Sequence, residues 1–207
     1  RSSGGGAVFH DLGNVCFSFL VLPERYDLQR QLGVVLSACR AHGIDAAFSG
    51  RNDIVAAGRK FSGNAFRFTK AASLQHGTLL VTADVQQMGK YLVPSKEKMQ
   101  SKGVPSVKAR VCNLSDLRAG LTTNALRETL AKAFAEEYGV PKTILYADLP
   151  EEDIKTIEEK YSSWDWKFGE TLRFDVSISK RFAWGGIELE LALKNAVIEQ
   201  IKVYSDA

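Results

Sequence analysis

The run Val15-Cys16-Phe17-Ser18-Phe19-Leu20-Val21 is apolar and β-prone, and Pro23 stops it, which predicts a buried strand. Asp27 then stands where a helix N-cap belongs. Leu28, Leu32, Val35, Leu36 and Cys39 follow at helical spacing, with Gly43 just past the end. Further strands are predicted at Asp45 to Phe48, Ile54 to Ala57 and Leu79 to Thr82. Thr123 offers a cap for a second helix carrying Leu126, Leu130, Ala133, Phe134 and Tyr138 on one face, closed by Gly139. A third helix is predicted from Pro150, with Glu151, Glu152 and Asp153 in an acidic first turn.

Beyond Gly169 the period changes to two. Leu172, Phe174, Val176 and Ile178 alternate with polar residues, then Ile187, Leu189 and Leu191 repeat the alternation. A third run, Val197 to Tyr204, follows the Lys194-Asn195 turn. This predicts an antiparallel meander that opens a second unit, with a boundary at Phe168 to Thr171. Upstream, the Lys-rich stretch Ser95 to Ser106, punctuated by Gly103 and Pro105, reads as a mobile surface loop. Both ends resemble cut points. The opening glycines need flanking structure, and Ser205-Asp206 resembles an N-cap with no helix after it, so the chain reads as a fragment.

With 207 residues, 45% of them hydrophobic, the chain can bury a substantial core. Its net charge is +3, from 27 Lys+Arg against 24 Asp+Glu, which is too balanced to advertise a nucleic-acid or membrane surface. No window approaches the roughly 18 apolar residues needed to span a bilayer, and Arg1 to Gly6 is no signal peptide. Cys16, Cys39 and Cys112 are far apart and lack CxxC pairing, so each reads as a small apolar packer in a reducing cytoplasm.

Three clusters carry candidate chemistry. In Arg1-Ser2-Ser3-Gly4-Gly5-Gly6-Ala7-Val8-Phe9-His10-Asp11, the glycine N–H groups can converge on an anion, with Arg1 as a fixed charge; the same run can be a plain flexible turn. It is neither a Walker A loop nor GxGxxG before a helix. In the second cluster, Gly50-Arg51-Asn52-Asp53-Ile54 precedes Gly58-Arg59-Lys60-Phe61-Ser62-Gly63-Asn64-Ala65. Turn formers there could aim Lys60 into a cleft, or Arg59 and Lys60 could simply solvate a hairpin tip. Asn52 and Asp53 are common turn residues that could also contact a ligand or metal. The third is His76-Gly77-Thr78-Leu79-Leu80, where His76 could contact a ligand or cap a turn. GxSxG, HExxH and EF-hand signatures are missing, which weighs against hydrolase and metalloprotease readings.

In order, RSSGGGAVFHDLGN at Arg1 to Asn14, GRNDI at Gly50 to Ile54, GRKFSGNAFR at Gly58 to Arg67, HGTLL at His76 to Leu80, SKGVPSVKARVCNL at Ser101 to Leu114 and SSWDWKFGE at Ser162 to Glu170 resemble the lipoate-protein ligase family, within the wider biotin and lipoate ligase group. The resemblance runs through nearly the whole chain. It implies an α+β fold: a mixed-sheet catalytic domain over residues 1–170, then the opening meander of a small accessory domain over residues 171–207. It implies ATP-dependent conversion of lipoate to lipoyl-AMP, with Mg2+ on the polyphosphate, and transfer of lipoyl to a lysine of the acceptor. By the same likeness the acceptors are lipoyl domains of 2-oxo acid dehydrogenase complexes and the H protein of glycine cleavage.

On this resemblance Lys60 is the catalytic clamp for the carboxylate and α-phosphate. Arg1, Gly6, Ala7, Val8, Phe9, Asn52 and Asp53 join it around ATP and the adenylate. Gly5, Val8, His76 and Gly77 join it around lipoate, and Lys96 to Val107 is expected to move over the adenylate. The alternatives are a transferase of the same fold that skips ATP activation, by a cysteine thioester or from preformed lipoyl-AMP, and a nucleic-acid binder using Lys96, Lys98, Lys102, Lys108 and Arg110 with Phe66 or Phe68. The thioester route needs an activated thiol, and Phe48 to Asp53 contains no cysteine. The binder needs aromatics interleaved with the charges, and they are not.

Overall fold

The computed structural model describes residues 3, 7–50, 52–92, 111–168 and 173–205. By internal contacts the chain divides into two units, Arg1–Pro141 and Lys142–Ala207. Five strands of the first unit are β1 (Asn14–Val21), β2 (Ala46–Ser49), β3 (Asp53–Ala56), β4 (Arg59–Phe68) and β5 (Ser73–Leu80). They form one sheet in the order β1-β5-β4-β3-β2. Every pair of these strands is antiparallel, and outside the ladder one isolated parallel bridge joins Lys60 to Val111.

The helix α1 (Leu28–Ala41) joins the two edge strands β1 and β2. Asp27 caps it as expected, its carboxylate accepting from Arg30 N at 3.0 Å. A short helix, α2 (Val85–Tyr91), is capped by Asp84, which accepts from Gln86 N and Gln87 N at 2.9 Å each. A longer one, α3 (Thr123–Tyr138), packs beside α1. Its cap is Thr122, one residue before the expected Thr123, with the hydroxyl accepting from Ala125 N at 3.1 Å. Leu32, Val35, Ala38 and Cys39 of α1 and Leu126 and Ala133 of α3 bury against Val15, Ile54, Phe61 and Leu79 of the sheet. Apolar burial on one sheet face thus joins both helices and the strands into one core.

Arg59 and Lys60, weighed as the solvated end of a hairpin tip or as aimed into a cleft, follow the Ala57-Gly58 turn and open β4, a ten-residue strand paired on both sides. One expectation about the centre of this sheet needs correction. The strand expected to begin at Leu79 begins at Ser73 and ends at Leu80. Gly, Ser, Asn and His are poor or indifferent strand formers, and two-sided ladder pairing overrides that preference.

In the second unit, α4 (Glu151–Ser162) and α5 (Trp164–Phe168) precede a three-stranded antiparallel sheet. Its strands are β6 (Val176–Phe182), β7 (Gly185–Lys194) and β8 (Val197–Ser205), in that order. The meander is present, with its first strand starting at Val176. Asn195 and Ala196 have φ of 51° and 63°, the left-handed pair that a two-residue hairpin turn requires. Among the described residues no helix is long and apolar enough to cross a membrane. The stretch Ser95 to Ser106, the Lys96 to Val107 segment and the basic residues from Lys96 to Arg110 lie outside the described residues.

Candidate functional site

Ladder register fixes which side chains share a face, because directly opposed residues in an antiparallel pair project together. Val15, Leu79, Ser62 and Ile54 form one row across four strands, and three of them belong to the core, so this row faces the helices. The neighbouring row is Cys16, Thr78, Gly63 and Asp53. By the period of two it faces away from the helices. His76, two residues from Thr78 and opposite Ser18 and Ala65, shares that outer face.

Strict alternation back from Ser62 would put Lys60 on the helix side. A β-bulge prevents it. Ile54 pairs with Ser62 and Val55 with Lys60, which leaves Phe61 as the extra residue of β4. Phe61 drops into the core at 0% exposure, and Lys60 emerges on the outer face with Nζ 2.6 Å from Asp53 Oδ1. The ammonium lies above Gly63: a Cβ at that position would stand 3.1 Å from Nζ and 3.3 Å from Cε. The Lys60 backbone is also tied down, since its carbonyl accepts from Cys112 N at 3.0 Å beside the Val111 bridge. Ala57 and Gly58, at φ of 48° and 71°, make the tight turn that brings β4 back alongside β3.

Asn52 and Asn64 brace the neighbouring end of β3. Asn64 N donates to Asn52 O at 2.7 Å, and each side-chain amide donates to the other residue's carbonyl. The buried Gln75 side chain donates to Asn64 Oδ1 at 3.2 Å, which anchors this brace in the sheet interior.

The opening segment reaches the same face. Ser3 Oγ and His76 Nε2 lie 2.6 Å apart, which joins the glycine-rich motif to the His76-Gly77 motif across 73 residues. Ala7 and Val8 are exposed, whereas Phe9 packs with Leu80, Ala83 and Met88 and stacks on Tyr91 at 6.1 Å. Asn14 Nδ2 holds the Phe9 carbonyl at 3.2 Å, and the Asp11 carboxylate accepts from Gly13 N and Asp84 N. Gly77 belongs to the other face: a Cβ there would meet Phe17 Cζ at 2.7 Å and Asn64 Oδ1 at 2.8 Å. Arg1, Gly5 and Gly6 lie outside the described residues.

The thiols separate into two kinds. Cys39 is buried and its thiol is pushed up to about 12 by loss of hydration. Burial also raises Cys112. Cys16 is no apolar packer, contrary to expectation: it is exposed, in the Asp53 row, with Sγ 3.6 Å from His10 Nδ1. Among the described residues no group of three or more His, Cys, Asp or Glu could hold a metal ion. Sequence reasoning missed the roles of Gly63, Asn64 and Gln75. A glycine and an asparagine between Phe61 and Phe66, in a segment long enough to be a strand, were the available signal.

An α+β domain with a lysine-carboxylate pair on its outer sheet face and a glycine-rich entry segment is therefore the class defined here. Residues 1–135 match the family model of the lipoyl protein ligase A/B catalytic domain, and residues 171–207 match that of the bacterial lipoate protein ligase C-terminus. The chain belongs to the lipoate-protein ligase family. P. falciparum LipL1, solved in complex with lipoate, is 34% identical with a TM-score of 0.74, covering 100% of this chain and 61% of its own. The bipartite lipoate protein ligase of Thermoplasma acidophilum, described with its E2 lipoyl domain, is 28% identical with a TM-score of 0.67, covering 85% of this chain and 72% of its own. Lipoate-protein ligase A bound with ATP is 28% identical with a TM-score of 0.65, covering 82% of this chain and 70% of its own. The chain thus spans 61% of the length of LipL1.

Proposed function

We propose that this protein is an ATP-dependent lipoate-protein ligase: it joins the lipoate carboxylate to the α-phosphate of ATP, releases pyrophosphate, and passes lipoyl to a lysine of an acceptor domain. The observation that carries this reading is the Lys60 ammonium, brought by the bulge to the outer face beside Asp53 and over Gly63. Relatives solved with lipoate and with ATP support both substrates.

Adenylation crowds two anions together, and a cation fixed before they arrive offsets that charge without reorganising. Lys60 takes this part, touching the carboxylate and α-phosphate oxygens. Arg1 and the Gly6-Ala7-Val8-Phe9 backbone take the phosphates and adenylate, with Asn52 and Asp53 at the neighbouring β3 end. Gly5, Val8 and His76 take lipoate, whereas Gly77, expected to join them, lies on the opposite face of β5. The Ser3–His76 contact supports placing Ser3 beside β5, while the Asn52 bonds and the filled space over Gly77 favour shaping roles for those two. Mg2+, when bound, neutralises polyphosphate charge; it suits a site with only one or two protein carboxylates because the nucleotide supplies the other ligands. Asp53 is the residue that would hold it.

In the second step the neutral acceptor amine attacks the acyl-adenylate carbonyl and AMP leaves. This step needs no enzyme thiol, and burial raises Cys39 and Cys112; Cys16, exposed in the Asp53 row, is the thiol on which the rival thioester route would have to draw. The acceptors are lipoyl domains of 2-oxo acid dehydrogenase complexes and the glycine cleavage H protein, in the cytoplasm; the T. acidophilum relative's E2 lipoyl domain supports the first. We divide the chain into a catalytic domain, residues 1–170, and an accessory domain from 171 onward; the start of the second family match at residue 171 supports that start, whereas the internal contacts part at Pro141.

Lipoate-dependent exchange of pyrophosphate into ATP tests the reading. Lys60→Ala is expected to lower exchange by roughly 10²-fold or more. Undiminished exchange in the folded variant would overturn the Lys60 assignment, and no exchange in the unaltered protein would leave only the transferase.

A further inference from the structure

The salt bridge at this site has a second meaning. Resting on the ligase reading, we propose that Asp53 is an internal stand-in for the substrate anion. It parks the Lys60 ammonium over Gly63, and the incoming carboxylate displaces it from that ammonium.

A lysine has a flexible four-carbon stem, so an unrestrained ammonium would sample a wide volume. Here two features confine it. The Asp53 carboxylate binds it at 2.6 Å, and Gly63, directly opposite Asp53 in the ladder, leaves the space that the ammonium fills. Any other residue at 63 would put a Cβ 3.1 Å from Nζ. The carboxylate comes from a braced backbone, because the residue before it, Asn52, is bonded reciprocally to Asn64, and Asn64 to the fully buried Gln75. Asp53 is therefore the fixed partner and Lys60 the mobile one.

The pair is also weak enough to exchange. Both side chains keep more than a third of their exposure, 39% for Lys60 and 36% for Asp53, and ion pairs of that kind contribute little. A carboxylate arriving on the outer face competes for the same ammonium and is repelled by Asp53 while it does so. Two opposite consequences follow from removing the Asp53 charge. The acid binds more tightly, and the ammonium, no longer parked, is less well placed for turnover.

Asp53→Asn keeps the side-chain size and removes the charge. Calorimetric titration of the protein with octanoate and with lipoate, without nucleotide, is expected to show binding about two- to fivefold tighter. Over the same comparison kcat for adenylate formation falls. Loss of a structural contact could not tighten binding. Asp53→Ala is expected to move in the same direction, which guards against a fold defect in one variant. Unchanged or weaker acid binding by the folded variants overturns the proposal. Lys60→Ala keeps the two ideas apart: if that variant binds the acid normally, the Lys60 assignment fails, whereas a weakened Lys60→Ala beside an unaltered Asp53→Asn sinks only the stand-in role.

Discussion

The Asn52 and Asn64 side chains each donate to the other residue's backbone carbonyl, at 3.1 Å in both directions. Asn64 is 4% exposed, so its amide has no water to fall back on, while Asn52 sits at the surface. Replacing Asn64 with Ala leaves the buried Gln75 donor without its partner, which should reduce stability by about 1–3 kcal/mol. Asn52→Ala should cost about half as much or less, since water can replace the exposed amide. Urea midpoints with unchanged slopes would report this order, and equal losses for the two variants would contradict the brace.

Glycines at positions 13 and 33 should respond to alanine with opposite signs. A Cβ on Gly13 would lie 2.3 Å from the Thr82 carbonyl carbon, and backbone cannot step aside. Gly13→Ala should therefore destabilise by about 3 kcal/mol or more. Gly33 lies inside α1 with nothing within 4 Å of a Cβ, so alanine there should stabilise by about 1 kcal/mol through helix propensity. Thermal melts of the two variants should fall on either side of the parent, and two shifts of the same sign would refute the geometry.

Those parts of the fold that follow from apolar periodicity were legible from the chain. The β1 run as a strand, the Asp27 cap, the apolar face of α1 and the turn at Asn195 all depend on neighbours in sequence, although β1 is not the buried strand expected: it lies at the sheet edge with Val15 buried and Leu20 71% exposed. β4 was not legible, because Gly63 and Asn64 read as turn formers until strands on both sides define the ladder. Lys60 was picked out for the turn formers that flank it, and it does follow the Ala57-Gly58 turn. It reaches the outer face by a bulge, and the burial of Phe61 that accompanies this depends on a core assembled from α1, α3 and the far strands. Cys16 was misread for a related reason: a strand residue faces core or solvent according to register alone, and one position decides it.

Thiol chemistry follows burial. Ellman's reagent at pH 8 should modify Cys16 rapidly and leave Cys39 and Cys112 intact until the protein unfolds. The Cys39 thiol also links stability to pH. Its folded value of about 12 stands above the ordinary 9.0, so the folded state retains a proton that the unfolded chain releases. This contribution is complete below pH 9 and is lost as pH rises through the window from 9 to about 12. Replacing Cys39 with Ala should flatten the alkaline limb of a stability-against-pH curve, and an identical limb in that variant would show that the thiol does not titrate there.

Phe61 couples the core to the lysine beside it. Its ring is fully buried, and its place as the extra bulge residue turns Lys60 outward. Truncation to alanine should cost about 3–5 kcal/mol, as for other large core side chains. The bulge exists because the ring is drawn inward, so the variant should also loosen the direction of Lys60. Activity measured well below the melting temperature should then drop beyond what the unfolded fraction explains. Phe61→Leu, which keeps an apolar anchor, should recover most of that activity while remaining less stable than the parent. If Phe61→Ala lost stability and kept full turnover, ring burial and lysine direction would be independent, and the bulge would owe its shape to the Ala57-Gly58 turn alone.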